Sequence, residues 1–261
     1  MIYAGCDVGS LTSKAVIMKH GRILGRAVIP SRARPQLSGQ EVMDLALGEA
    51  RLCRDRITAC VGTGYGRDNL SFVQAAISEI TCHARGGLWL LPTARTIIDV
   101  GGQDCKAFRI DDRGIPVKFL TNDKCASGTG RFLEVMAKLL GIGMADLGGL
   151  SDRSGSPITF ASTCTVWVQA DVIKHLNDGR TPEDIGAGIN IAMANRVAML
   201  ASAVHPEPDI CMTGGVAKNE GVVQALEKLL GARIKRVKKA DPQLAGAIGA
   251  ALLAAERDGS R

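Results

Sequence analysis

The sequence predicts an α/β fold of two duplicated domains that face each other across a cleft. The main observation is an internal repeat, because Asp7-Val8-Gly9 and Lys14-Ala15 align without a gap with Asp99-Val100-Gly101 and Lys106-Ala107. Both copies continue through a turn into a third apolar strand, so each is predicted to be a three-stranded antiparallel meander. The predicted domains are residues 1–94, with 243–261 packing back on them, and residues 95–242.

Each remaining element is predicted from its local apolar pattern and from the turn residues around it. Strands are predicted at residues 2–7, 15–18, 57–66 and 209–213, and helices at 37–54, 68–91, 165–176, 182–204 and 243–256. A further amphipathic helix is predicted to open from the small-residue loop in the stretch 121–140. Pro92 marks the linker between the copies, because proline ends helices. Thr181-Pro182 supplies a cap and a first-turn proline for the long helix that follows.

The composition indicates a globular protein that binds ligands through its backbone. Of the 261 residues, 46% are hydrophobic and 31 are glycine, but only 3% are aromatic. That balance suits nucleotide phosphates better than an aromatic-lined pocket would. No apolar run approaches the roughly 20 residues of a membrane span, and the N-terminus lacks the basic region of a signal peptide. We therefore expect a cytoplasmic protein with no membrane partner.

Charge distribution and cysteine spacing indicate a protein of a reducing compartment that does not bind nucleic acid. The formal net charge is +6, but the basic residues are scattered apart from the cluster at 235–239. A solvated face, or docking to an acidic protein, explains them better than nucleic-acid binding. The eight cysteines form no CxxC pair and no secreted-type framework, so a reducing compartment is the simplest expectation.

Two loops are candidate phosphate sites. Loop 1 comprises residues 9–13. Asp7 ends the strand before it and can orient water on Mg²⁺, while the backbone amides of the loop and Lys14 face phosphate. The alternative is a plain hairpin with an exposed aspartate. In loop 2, which comprises residues 101–104, the same pattern returns and adds Gln103 and Asp104. The candidate nucleotide ligands of the two loops are Gly9, Ser10, Thr12, Ser13, Lys14, Gly101, Gly102 and Lys106.

A third candidate lies at Thr213-Gly214-Gly215, where a strand ends in a turn before a predicted helix. Backbone without a side chain can approach an adenine or ribose closely there, with Lys218 nearby. The alternative is a tight strand-to-helix turn with no ligand.

Two cysteines are candidate metal ligands. Cys125 lies in a small-residue loop that opens into an amphipathic helix, beside Lys124 and near Arg131, and Cys164 precedes another helix. Both positions favour thiolate over thiol, because a helix N-terminus carries partial positive charge. Two cysteines cannot close a four-thiolate site, so a shared site would need a second chain. Isolated cysteines are also common as inert core residues.

The ordered set of Asp7-Val8-Gly9-Ser10, the segment 99–104 and Thr213-Gly214-Gly215 resembles the two phosphate motifs and the adenosine motif of the actin-like (ribonuclease H-like), sugar-kinase and heat-shock-chaperone ATPases. With NDKCASGTGRFLEVMA at 122–137 and STCTV at 162–166, the chain resembles activators of 2-hydroxyacyl-CoA dehydratases and ATP-hydrolysing subunits of benzoyl-CoA reductases.

That resemblance implies a homodimer bridged by one 4Fe-4S cluster, with Cys125 and Cys164 contributed by each subunit. It also implies ATP or ADP with Mg²⁺ as cofactors, Asp7 and Asp104 as magnesium-positioning residues, and Gln103 as the residue that orients the attacking water. The implied partners are a CoA-thioester dehydratase or reductase component, and ferredoxin or flavodoxin as electron donor. Gln169 and Ala170 depart from the acidic residues that dehydratase activators tend to carry.

Two rival functions share this scaffold. A small-molecule kinase would need a substrate-binding insertion, and none is evident at this length. A nucleotide-dependent structural protein of the actin or chaperone kind would lack the paired cysteine loops.

Overall fold

The computed structural model describes residues 1–122 and 125–259. In chain order its strands and helices are β1 (Tyr3–Val8), β2 (Thr12–Lys19), β3 (Arg22–Pro30), α1 (Pro35–Ala50), β4 (Ala59–Thr63), β5 (Ala75–Ala76), α2 (Glu79–Leu90), β6 (Thr96–Val100), β7 (Cys105–Ile110), β8 (Pro116–Asn122), α3 (Gly130–Leu139), α4 (Leu150–Arg153), α5 (Thr165–Asn177), α6 (Pro182–Ala203), β9 (Ile210–Thr213), α7 (Glu220–Leu230), β10 (Ile234–Lys235) and α8 (Ala245–Gly259). Within those described residues, no helix has both the length and the apolar character needed to cross a membrane.

The described residues separate into two compact units. Unit 1 comprises residues of Met1–Ala94, Ile110–Val117 and Val237–Arg261, and unit 2 comprises residues of Arg95–Arg109 and Lys118–Arg236. The assignment of residues 1–94 and 95–242 as two ATPase domains stays a prediction.

Unit 1 is built on a five-stranded sheet in the order β3-β2-β1-β4-β5. The β1-β2 pair is antiparallel and places Asp7 opposite Lys14, whereas β4 runs parallel to β1. Helix α1 packs on one side, where Val42 and Ala46 join Cys6 and Ile17 in the core. Helix α8 packs its alanines against Val16 in a separate cluster. The sheet is therefore covered by helices, as its apolar strands require.

Unit 2 repeats this arrangement with a second five-stranded sheet in the order β8-β7-β6-β9-β10. Asp99 lies opposite Lys106 in the antiparallel β6-β7 pair, and β9 runs parallel to β6. The same strand order and the same Asp–Lys register in both units confirm the α/β fold class and the internal duplication. The core of unit 2 includes the fully buried Ile98, Phe132 and Met193.

Two predicted helices are wrong in extent. The segment 68–91 is helical only from Glu79, after a short 3₁₀ helix (Arg67–Asn69) and strand β5. Strand β5 pairs with β4, and the Gln74 side chain accepts a hydrogen bond of 2.6 Å from the Cys60 amide, so sheet pairing overrides helical propensity there. The helix predicted at 37–54 ends at Ala50, because Arg51 adopts a left-handed conformation with φ 54°. Thr181 caps α6 as predicted, accepting a hydrogen bond from the Asp184 amide.

Candidate nucleotide and cysteine sites

Asp7 is the centre of the candidate phosphate site in unit 1. It lies near the end of β1, is 2% exposed, and accepts a hydrogen bond of 3.1 Å from Lys14 Nζ at its Oδ2 atom. His83 Nε2 of helix α2 lies 4.0 Å from the same oxygen. A buried carboxylate beside two cationic or polar nitrogens is held in one orientation, which favours a fixed role at a metal ion or phosphate.

Hydrogen bonds fix the shape of loop 1. The Gly9 amide donates to the Thr12 carbonyl at 3.1 Å, and Ser31 Oγ donates to the Gly9 carbonyl at 2.7 Å. Ser13 is fully buried and its hydroxyl pairs with Ser31 Oγ at 2.8 Å, whereas Ser10 is exposed. Ser13 thus holds the buried side of the loop in place through Ser31, and a ligand can reach the exposed side at Ser10.

Loop 2 is closed by the same kind of backbone hydrogen bond as loop 1, from a glycine amide to the carbonyl three residues later. The Gly101 amide donates to the Asp104 carbonyl at 3.0 Å, and Lys106 Nζ donates to Asp104 Oδ2 at 2.5 Å. Gln103 at the tip of the loop is exposed. Lys106 therefore contacts the loop carboxylate of Asp104, and its counterpart Lys14 contacts the strand carboxylate of Asp7.

Sequence reasoning missed the roles of Asp99 and Thr213. Asp99 occupies in β6 the place that Asp7 occupies in β1, is 2% exposed, and accepts a hydrogen bond of 2.7 Å from Thr213 Oγ1. Thr213 is fully buried and lies opposite Asp99 in the parallel β6-β9 pair. The alignment of Asp99 with Asp7 carried the signal for this pair. The contacts of His83 with Asp7, and of Ser31 with Gly9 and Ser13, join residues that are distant along the chain and had no signal in the sequence.

The turn after β9 brings Gly214 against β6. Gly214 adopts φ 83°, and a Cβ at this position would lie 2.3 Å from the Val100 carbonyl oxygen, so only glycine fits. The helical segment predicted after this turn starts as a single 3₁₀ turn, Gly215–Lys218, and α7 begins at Glu220 with Asn219 as its cap. Gly215 and Lys218 are exposed.

The cysteine loop, defined as residues 125–129, precedes α3 and differs from the predicted geometry. Thr129 caps α3, so Cys125 lies upstream of the helix and does not cap it. The amides of Gly130 and Arg131 in the first turn of α3 donate to the carbonyls of Gly101 and Gly102, each at 2.8 Å. The start of α3 is therefore tied to loop 2. Lys124 lies outside the described residues.

Cys164 is the N-cap residue of α5, as predicted, and its amide donates to Ser162 Oγ at 3.1 Å. Cys125 and Cys164 both lie in unit 2 and both are exposed. No group of three or more His, Cys, Asp or Glu side chains suited to a metal ion occurs among the described residues. Any centre bound by these two thiols needs ligands from elsewhere.

The other cysteines divide by burial. Cys53 is exposed, whereas Cys6, Cys60, Cys82, Cys105 and Cys211 are buried. Burial raises the pKa of the Cys60 thiol to about 12 and that of Cys211 to about 12. Such thiols stay protonated and inert at neutral pH.

The chain has a fold of the actin and sugar-kinase type. A glucokinase structure from Streptomyces griseus, in complex with glucose and AMPPNP, aligns with a TM-score of 0.58 over 98% of this chain and 100% of that chain. At 15% identity this likeness shows the fold alone.

Closer relatives narrow the class. The activator of 2-hydroxyisocaproyl-CoA dehydratase from Clostridium difficile, solved with bound ADPNP, is 41% identical and aligns with a TM-score of 0.94 over 100% of this chain and 96% of that chain. The activator of lactoyl-CoA dehydratase from Anaerotignum propionicum is 44% identical over 98% of each chain. A component of benzoyl-CoA reductase from Thauera aromatica is 34% identical over 98% of this chain and 94% of its own. The chain belongs to the BadF/BadG/BcrA/BcrD ATPase family, whose model matches residues 4–254.

Proposed function

We propose that this protein is an ATP-hydrolysing iron–sulfur protein that drives low-potential electrons into a 2-hydroxyacyl-CoA dehydratase. The observation that carries the proposal is similarity over nearly the whole chain to dehydratase activators, together with the two exposed cysteines of unit 2. Ferredoxin or flavodoxin is the proposed electron donor. The partner's acyl-CoA substrate binds to the partner, so this chain does not select it.

The proposed nucleotide ligands are the amides and side chains of loops 1 and 2. Asp7 and Asp104 hold Mg²⁺ and its waters, with Lys14 and Lys106 positioned to neutralise developing phosphate charge. The support is that each lysine already contacts a loop or strand carboxylate, at 3.1 Å for Lys14 and 2.5 Å for Lys106. The exposed Gln103 orients the attacking water. Gly214, Gly215 and Lys218 complete the proposed adenosine side of the site.

The cysteines fit a shared cluster. Two exposed thiols in one unit supply half of the four ligands that a cubane needs, and a second copy of the chain supplies the others by symmetry. The other cysteines of unit 2, Cys105 and Cys211, are buried within the chain, so a second copy of the chain cannot reach their sulfur atoms. When bound, a 4Fe-4S cluster supplies one-electron transfer at low potential.

Loop 2 offers a route by which the nucleotide affects the cysteines. The carbonyls of Gly101 and Gly102 accept hydrogen bonds from the first two amides of α3, and α3 follows directly on the cysteine loop. A shift of loop 2 around phosphate therefore moves the start of α3 with it, because breaking both bonds would leave two carbonyls and two amides without partners.

The ATP-hydrolysing subunit of a benzoyl-CoA reductase is the second candidate, since the Thauera aromatica reductase component matches the same length of chain at lower identity. Stable co-purification with the rest of a reductase would favour it, whereas a dehydratase activator binds its partner transiently. A kinase is a third candidate, and phosphorylation of a sugar, acetate or glycerol from labelled ATP would favour it.

The test of the proposal is ATP-dependent activation of a 2-hydroxyacyl-CoA dehydratase by the anaerobically purified protein. We expect Asp7→Asn to lower ATP hydrolysis and activation by about 100-fold or more. Asp44→Asn is the matched control, because Asp44 is an exposed aspartate of α1 that pairs with Arg54. Parental ATP hydrolysis in Asp7→Asn contradicts the nucleotide assignment, and full ATPase activity without activation of any dehydratase contradicts the partner assignment.

A further inference from the structure

We infer that Arg196 is a positioning residue for the cysteine loop and that its positive charge makes a cluster bound by Cys125 easier to reduce. The inference rests on the proposed function, because it concerns the cluster that Cys125 would help to hold. Arg196 lies on α6 and takes no part in the nucleotide site described above.

Arg196 and the cysteine loop meet at one cavity. The cavity has a volume of about 260 Å³, and its lining includes Arg196 and Met199 of α6, Asn122 at the end of β8, and Gly128 of the cysteine loop. One face of α6 therefore lies against the segment that carries Cys125.

Two contacts hold the cysteine loop at this cavity. On one side, Asn122 Nδ2 donates to the carbonyls of Cys125 at 3.3 Å and Ser127 at 3.0 Å. On the other side, Gly128 adopts φ 83°, and a Cβ built on it would lie 3.0 Å from Arg196 Cβ. The same built Cβ would lie 3.9 Å from Arg196 Cγ, so the first carbons of the Arg196 side chain pack on the loop backbone. Alanine keeps Cβ but removes Cγ and the rest of the stem, and loss of that part of the contact should loosen the loop.

The guanidinium brings a permanent charge to the same place. Arginine stays protonated in proteins, and Arg196 is only partly exposed. Its field acts inside the cavity on the Cys105 thiol, where burial raises the pKa of Cys105 and Arg196 acts in the opposite direction. A negative group bound at Cys125 would experience this positive charge as well.

The direction of the effect follows from charge. Reduction of a four-thiolate cluster adds one electron from a low-potential donor and no proton, so the reduced cluster is more negative and a nearby cation stabilises it. Gly128 is three residues from Cys125, a span of at most about 10 Å. Loss of one charge about 10–15 Å from a cluster, at an effective dielectric constant of about 20–40, lowers the ratio of reduced to oxidised cluster roughly 2.5- to 16-fold.

The redox experiment compares the wild-type protein with Arg196→Met, which keeps an aliphatic stem without charge, and Arg196→Lys, which keeps the charge. Arg233→Met is the control, because Arg233 precedes β10 at the opposite edge of the sheet from β8, roughly 20 Å away by strand spacing. Each protein is loaded anaerobically with iron and sulfide and titrated with a low-potential reductant while the spin-resonance signal of the reduced cluster is recorded.

We expect Arg196→Met to shift the midpoint potential to more negative values, and Arg196→Lys and Arg233→Met to keep the wild-type potential. A wild-type potential in Arg196→Met, or an equal shift in Arg233→Met, overturns the electrostatic part of the inference. A wild-type protein that binds no iron contradicts the proposed function instead, so the two failures are distinguishable.

The positioning role has a separate readout that needs no cluster. In the apo protein, Arg196→Ala should accelerate hydrogen exchange at residues 125–129, whereas Arg196→Met should leave that exchange close to wild type. Unchanged exchange in Arg196→Ala overturns the positioning role.

Discussion

The buried hydrogen bond between Thr213 and Asp99 offers a stability test that depends on the structure alone. Thr213 Oγ1 donates to Asp99 Oδ1 at 2.7 Å, and the two residues are 0% and 2% exposed. Thr213→Val preserves shape and strand propensity but removes the hydroxyl. Hydrogen bonds to charged groups contribute about 1.5–3 kcal/mol, and little water can replace a partner at this burial. We therefore expect Thr213→Val to lower the free energy of unfolding by about 2 kcal/mol.

Differential scanning calorimetry of the apo protein is the assay. A loss of about 2 kcal/mol corresponds to a decrease in Tm of about 4–8 °C for a chain of this size. Thr165→Val is the matched control, because the Thr165 hydroxyl is buried in the same unit and has no hydrogen-bond partner among the described residues. Equal decreases in Tm for the two variants would refute the reasoning, since the loss would then follow from the substitution type and not from the Asp99 bond.

Two further predictions follow from the cysteines and the start of α3. At pH 8, iodoacetamide should label Cys53, Cys125 and Cys164 in the folded apo protein. It should spare the buried thiols such as Cys60, because their raised pKa values keep them protonated. Mass spectrometry of peptides measures the labelling, and rapid labelling of Cys60 contradicts the prediction. Gly130→Ala should reduce the effect of ADP on the labelling rate of Cys125, because the added Cβ would lie 3.0 Å from the Gly101 carbonyl and strain the tie to loop 2. Gly155→Ala, whose Cβ would meet nothing within 4 Å, is the control, and full nucleotide sensitivity in Gly130→Ala contradicts the proposed route.

The duplicated fold could be predicted because the repeat is ungapped. Asp7 and Asp99 fall at the same strand position, and the lysines seven residues later fall opposite them once the hairpins form. A period of two along each strand fixes which face a side chain occupies, so an ungapped alignment implies that the two copies share one register. The motif positions of the site were predictable for the same reason.

The contacts between distant segments could not be predicted. His83 reaches within 4.0 Å of Asp7 only because α2 packs on α8, which in turn packs on β1, and nothing near His83 in the sequence reports that packing. The tie between α3 and loop 2 joins amides and carbonyls, which every residue possesses, so it left no compositional signal. The extent of α2 was mispredicted because β5 pairs with β4, which lies earlier in the chain. The apolar pattern within the segment 68–91 does not report that pairing.

The most direct test of the account is the iron content of the anaerobically loaded protein and its cysteine variants, measured together with molar mass. We expect about four irons per two chains, because each chain supplies two of the four thiolates. Cys125→Ala and Cys164→Ala should each abolish iron binding, whereas Cys53→Ala, which changes the third exposed thiol, should leave the iron content unchanged. Four irons per single chain, or a Cys125→Ala protein that keeps its iron, would contradict the shared site.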